Sequence, residues 1–415
     1  TLKQYYKIWG LSGTKKQAQT IRTIAPYVIE LREMNPTVGY RRMRTLLRRN
    51  YQVRVSEKIV AQLLNTIERS AVLARQKGRY VRTKYYAAGV NQVWCFDQHD
   101  KFKRFGLFFH IGVDPFPSTG KWLWLIVWWT NSNPRLVTAQ YLKVAREIKG
   151  VPLLTQSDLG SENFGIANAH TSIRQYIDPS LEGTLQHRWM TGHNNVKPEI
   201  AWRQFRREHI AGYEKLFDIG LDNGDYDPAN VLQRFIFRWT AIPYLQREVD
   251  AMVHLHNRTM PRRDKHKILP HGRPDDIYYY PQERGVAVPP EVFDEAERQW
   301  APKDHPVFDL VPPDFAPFVR EVYTRIGEPA IAYKTFWTVY NAMRDEAVRM
   351  IQGEPQAGVR LVLSAHANVP DAGEDQGIQL LQHSRAANFG EGDIPELRAI
   401  HGGSFSFGLE SSRLC

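Results

Sequence analysis

Three acidic residues carry the chemistry most open to this chain: Asp97, Asp158 and Glu199, separated by 61 and 41 residues. Asp97 ends the apolar run VWCF (93–96), and Asp158 ends VPLLTQS (151–157). An anion set beside residues that bury needs a partner or a metal, because an unpaired buried charge is costly. In open α/β sheets, ligand sites gather beyond the carboxyl ends of strands, and neighbouring strands lie about 5 Å apart. Two carboxylates on neighbouring strand ends repel unless they share a proton or a cation. Mg²⁺ suits such a site, and Mn²⁺ is an alternative, since both accept oxygen ligands and leave places for water and phosphate. A third carboxylate completes a two-ion centre of the kind that cuts and joins phosphodiesters, with ions about 4 Å apart. Glu199 is the candidate. Arg203 and Arg206 follow it by four and seven residues, hence on its helical face, and guanidinium groups suit a phosphate backbone.

These residues need elements to hold them. VWCFD, LFFHIGVD (107–114) and WLWLIVWWT (122–130) are expected as successive strands, followed by a helix over 134–150. A strand over 151–158, a helix over 164–177, a short strand over 185–190 and a long helix from about Val196 to Phe217 complete the layer. That order predicts an α/β core, with a mixed five-stranded sheet in which early antiparallel strands are joined by later parallel ones. Asp100 is an alternative to Asp97, but three residues on it faces the other side of the strand or lies past its end. Glu162, four residues after Asp158, is a further acid near the site. His99, His110 and the Trp-rich strand are expected to be packing groups.

Upstream, helices are expected over IRTIAPYVIELREM (21–34), YRRMRTLLRRNY (40–51) and EKIVAQLLNTIER (57–69), the last capped by Ser56. Three short helices with a tight NPTVG turn predict a helix-turn-helix-like all-α unit. Residues 1–90 hold 19 Lys/Arg against 4 Asp/Glu, whereas the whole chain of 415 residues carries a net charge of only +11. A basic excess confined to one segment points to an anionic polymer, most simply nucleic acid. Arg41, Arg42 and Arg44 on the middle helix, together with the linker 75–86, are the candidate DNA contacts.

The organisation expected is 1–90 basic and helical, 91–221 the α/β core, 222–352 a mainly helical region, and 353–415 a disordered tail rich in Gly and acidic residues. A helix over 231–258, single or broken near Pro243, and another over about 333–351 belong to the third part. The two cysteines, Cys95 and Cys415, exclude a disulfide framework or a Cys-rich zinc site. No apolar run is long enough to span a membrane.

The stretch 91–207 resembles the catalytic core of DDE integrases and transposases. NQVWCFDQHDKFK resembles the first-strand motif of that family, QSDLGSEN (156–163) the second, and NNVKPEIAWRQFRRE the third, in which the Glu opens a basic helix. The likeness is strongest to an integrase-core group common in eukaryotic, especially fungal, sequences. NPTVGYRRMRTLLRRNYQVRVSEKIVAQLL is similar to the helix-turn-helix segment that precedes the core in insertion-sequence transposases. The resemblance implies a ribonuclease H-like fold, Asp97, Asp158 and Glu199 as the metal-binding catalytic triad, two Mg²⁺ or Mn²⁺ ions, a DNA substrate and a homo-oligomer. Asp114 matches a strand-two Asp that is structural, and Ser118-Thr119 stands where a Ser-Arg pair is typical. The His/Cys zinc module of retroviral integrases has no counterpart, because residues 1–90 contain neither residue type. A domesticated, non-catalytic DNA-binding protein and a ribonuclease H-like nuclease are the alternative functions. A DNA substrate implies a nuclear location, for which RRDKHK (262–267) is a weak import signal.

Overall fold

The order of strands in the central sheet explains how residues far apart in sequence meet. In this computed structural model, which describes residues 18–70, 72, 87–190, 195–263, 268–279, 285–353, 357–367 and 378–381, the sheet contains β1 (Val93–His99), β2 (Phe108–Asp114), β3 (Lys121–Trp128), β5 (Leu154–Asp158) and β6 (His187–Met190). β1 to β3 form an antiparallel meander, β5 adds to β1 and β6 to β5, both in parallel, and the order is β3-β2-β1-β5-β6. A small second ladder pairs β4 (Gly150–Val151) with β7 (Val286–Ala287). The mixed five-stranded α/β core expected from the sequence is therefore present.

Strand alternation divides the side chains between two faces. On one face Trp94, Phe96 and Trp124 pack with helix α4 (Pro134–Ile148), α5 (Phe164–Ile177) and α10 (Pro290–Trp300). Gly112 makes room there, since a Cβ would lie 2.5 Å from the Trp124 ring, which stacks on Phe96 and His110. Trp128 and Trp129 anchor their indole N–H groups on the carbonyls of Val307 and Asp309. The Trp-rich strand is thus core, as expected.

The other face is covered by α6 (Val196–Phe205), which runs on through a π-helical turn (Arg206–Ile210) into α7 (Ala211–Asp222), and by α8 (Val231–Arg258). Pro243 lies within α8 without ending it. Phe109, Ile111, Trp122, Phe205, Phe217, Phe237 and Tyr340 share one apolar cluster. The helices after residue 222 therefore complete the core of the sheet, and packing shows no break at 221. α11 (Ala316–Arg325) and α12 (Phe336–Gly353) extend this layer. The expectation of a disordered tail is corrected over residues 357–367. They form helix α13 (Ala357–Ala367), whose Val359 is buried in that cluster and whose His366 meets Phe235 edge-on. Ile378 packs in the opposite cluster. The remainder of the tail, the linker 75–86 and residues 264–267 of the basic loop lie outside the described residues.

The N-terminal unit is the three-helix arrangement expected: α1 (Ile21–Met34), α2 (Tyr40–Tyr51) and α3 (Glu57–Ile67). Thr20 and Ser56 cap α1 and α3 by accepting from backbone N–H groups three residues on. Ile24, Leu31, Leu46, Val60 and Leu64 form a separate small core. Among the described residues no helix is long and apolar enough to cross a membrane.

Candidate active site

Register sets the first two acids side by side. Val93, Trp94 and Cys95 of β1 lie opposite Leu154, Thr155 and Gln156 of β5. Two residues further along both strands, Asp97 stands level with Asp158, on the same face, at the carboxyl ends of adjacent parallel strands. Opposite Asp97 on β2 is Ile111, which belongs to the cluster under α6 and α8. Both acids therefore face the helix that carries Glu199.

That helix is strapped down by Asn195, which is fully buried at its N-cap. The Asn195 side-chain amide donates to the Phe96 carbonyl at 2.6 Å and accepts from Gln156 Nε2 at 3.4 Å. It thus ties the start of α6 to β1 and β5, one residue before Asp97 and two before Asp158. Glu199 follows one turn later, its N–H donating to the Asn195 carbonyl at 3.4 Å. Lys197 reaches the Pro115 carbonyl at 3.0 Å, adding a second tether.

Electrostatics report the convergence. Burial raises the Asp97 carboxyl to about 7, and the charges of Asp158 and Glu199 push it the same way. The Gln98 N–H, which donates to Asp97 Oδ1 at 2.9 Å, offsets part of this rise. The indole N–H of Trp202 also lies toward Asp97, without closing a hydrogen bond. A carboxyl raised by desolvation and two like charges is a group that takes a proton or a cation. The donor set, all carboxylate, fits Mg²⁺ or Mn²⁺ in kind. Among the described residues, however, no three His, Cys, Asp or Glu side chains are gathered closely enough to hold an ion. The fold brings the three acids to one end of one face but leaves them short of ligand spacing.

The neighbouring residues sort as follows. Asp100 lies past the end of β1 and accepts from Asn131 Nδ2 at 2.7 Å. Glu162 is raised by burial and feels Asp100 and Asp158, and its Oε1 accepts from Asn163 Nδ2 at 3.0 Å. His99 stacks on Trp202 with ring centroids 4.9 Å apart, and burial lowers it to about 4, so it is neutral. Buried His110 accepts from the Trp124 indole at 3.0 Å. Asp114 is fully buried, and its two oxygens accept from the N–H groups of Asn91 and Phe116. Its structural reading fits this geometry.

The basic candidates divide. Arg203 and Arg206 are exposed on the outer side of the helix, Arg206 with Glu214 at 3.4 Å. Arg41 and Arg44 are partly exposed and share Glu57 at 3.6 and 3.0 Å. The expectation for Arg42 needs correction. Its side chain is 12 % exposed, it is paired with Glu208, and it lies 2.8 Å from His209 Nε2 and 3.3 Å from His256 Nδ1. His256 in turn stacks on Trp122 and bonds to the Gly120 carbonyl. Arg42 docks the N-terminal unit onto the π-helical turn, and its guanidinium is committed inward. The sequence reading also missed Asn195, whose only signal was its place just before a helix that begins on a buried face.

A cavity of about 890 Å³ lies elsewhere, along the outer edge of β3 and beside Lys121, Gln246, His254 and Tyr279, and none of the three acids lines it.

The mixed five-stranded sheet with helices on both faces has the form of an integrase or ribonuclease H-like core. Residues 84–278, a little under half of the chain, match the family model described as integrase core domain. The chain is also similar to one in the cryo-EM structure of the simian T-cell lymphotropic virus intasome in complex with PP2A regulatory subunit B56 gamma. That likeness is 13 % identity over 56 % of this chain and 70 % of the other, and the superposition is loose, with a TM-score of 0.29. No curated protein matches the chain.

Proposed function

We propose that this chain is a DNA-cutting and DNA-joining polynucleotidyl transferase of the integrase and transposase type. The observation that carries the reading is the register of β1 and β5, which sets Asp97 beside Asp158 with the Glu199 helix strapped over them. Asp97, Asp158 and Glu199 would hold two Mg²⁺ or Mn²⁺ ions. When bound, such ions supply Lewis acidity to a phosphodiester and a water or 3′-hydroxyl nucleophile at neutral pH. The protein's own part is to keep the three carboxylates on one side of the sheet, with Trp202 and His99 excluding water beneath them. Arg203 and Arg206 face outward along the same helix and suit a phosphate backbone. The N-terminal helices bring further arginines. The eukaryotic, fungal-type likeness of the motifs supports a nuclear location, and assembly of several copies on DNA follows from the same family reading.

The test is strand nicking and joining of labelled duplexes with Mg²⁺ or Mn²⁺, using wild type, Asp97→Asn and Asp158→Asn. Activity confined to wild type supports the assignment, and equal activity in all three removes it. A second reading, a DNA-binding protein that keeps the fold without the chemistry, is favoured by one observation: the acids stand apart from ligand spacing. DNA binding indifferent to metal and to both substitutions, with no cleavage, would select it.

A further inference from the structure

Leu159 directly follows Asp158 and is 70 % exposed. Single exposed leucines are ordinary on protein surfaces. What sets this one apart is the rigidity of its mounting. The Asp158 carbonyl accepts from Ser157 Oγ at 2.9 Å and from Asn163 Nδ2 at 3.3 Å. Asn163 N–H closes the turn on the Gly160 carbonyl at 3.0 Å. The Glu162 side chain folds back over Gly160, into the space a Cβ there would take. The turn then runs directly into α5, which fixes its far end. Leu159 is thus an apolar side chain held out into solvent by a pinned turn, on the residue next to a candidate catalytic acid.

An apolar group fixed beside a phosphodiester-binding site has a natural partner in the face of a nucleobase. Proteins insert leucine and isoleucine between base steps, where they unstack the bases. We propose that Leu159 is a wedge that opens the terminal base step of a DNA duplex brought to the carboxylates. The proposal rests on the DNA-processing reading above and adds a residue that positions the substrate.

The test uses the full chain and a short duplex carrying 2-aminopurine in its terminal base pair, with binding followed separately by anisotropy. Unstacking is expected to raise the 2-aminopurine fluorescence roughly threefold in the wild-type complex. At saturating protein Leu159→Ala loses most of that rise, while Leu159→Phe keeps it. Leu153→Ala is the control, since Leu153 is 46 % exposed just before the other end of the same strand; it leaves the rise intact. In cleavage assays Leu159→Ala loses roughly tenfold in kcat/KM on a paired end and recovers on an end with two mismatched pairs, which need no prying open. A full fluorescence rise in bound Leu159→Ala, or none in bound wild type, overturns the wedge. A normal rise in an Asp97→Asn complex, with no cleavage by wild type under any condition, leaves the wedge standing and removes the catalytic reading instead.

Discussion

Replacing Asp97 by Asn tests the electrostatics of the site without needing a substrate. Asp97 is held near 7 by burial and by its two acidic neighbours, against an ordinary value of 3.8. Between about pH 4 and 7 the folded protein therefore binds a proton at Asp97 that the unfolded chain does not. Stability from this group is fully present below about pH 4 and is lost as pH rises to about 7. Three pH units at about 1.4 kcal/mol each set a ceiling of roughly 4 kcal/mol. Water entry at a half-buried strand end makes about 2 kcal/mol the working figure. Asp97→Asn removes the burden, so in EDTA at pH 8 the variant should be more stable than wild type by about that amount. The difference should shrink toward zero only at and below about pH 4. Urea titrations at half-unit pH steps, with and without Mg²⁺, measure it. Added Mg²⁺ should stabilise wild type more at pH 8 than at pH 6, because the cation displaces a proton, and should do little for the variant. A variant less stable than wild type at pH 8, or with the same pH slope, would show that Asp97 is not a desolvated, repelled carboxylate.

Three further outcomes follow from particular side chains. Asn195→Ala leaves the buried Phe96 carbonyl without its 2.6 Å donor; it should cost about 1–3 kcal/mol in denaturant titration and lower nicking by loosening the Glu199 helix. Arg42→Ala takes away the buried partner of Glu208 and leaves it to the exposed Arg207 at 2.6 Å; a loss of about 2 kcal/mol should appear as early proteolysis between the N-terminal unit and the core, with Arg42→Lys intermediate. Neutralising the exposed Arg44, Arg48 and Arg49 together should flatten the log–log salt dependence of DNA binding by up to about 0.9 for each phosphate that is no longer neutralised. An unchanged slope in filter-binding assays would move the DNA surface to another face.

The sheet was legible because its signals are local. Short strands rich in apolar residues and helices with period 3.6 put the elements within a few residues of their observed bounds; α5 matches end to end. The long α8 was left as one helix or two, and packing along its whole length on β3 and α12 resolved it as one. α13 was missed because an 11-residue helix with its polar residues spread around it owes its stability to the surface it lands on, and local periodicity does not report that.

Sequence by itself determined which groups could act: three acids at strand-end and helix-start positions, and a basic helical unit ahead of them. It could do so because residue type and period are properties of single segments. Only the tertiary structure decided which of those groups meet. The parallel register placed Asp97 beside Asp158, Asn195 bound the Glu199 helix across both strands, and docking of the N-terminal unit turned Arg42 inward while leaving its neighbours outside. Each of these depends on interactions between segments tens to hundreds of residues apart, where the free energy belongs to the pair and neither segment carries it alone.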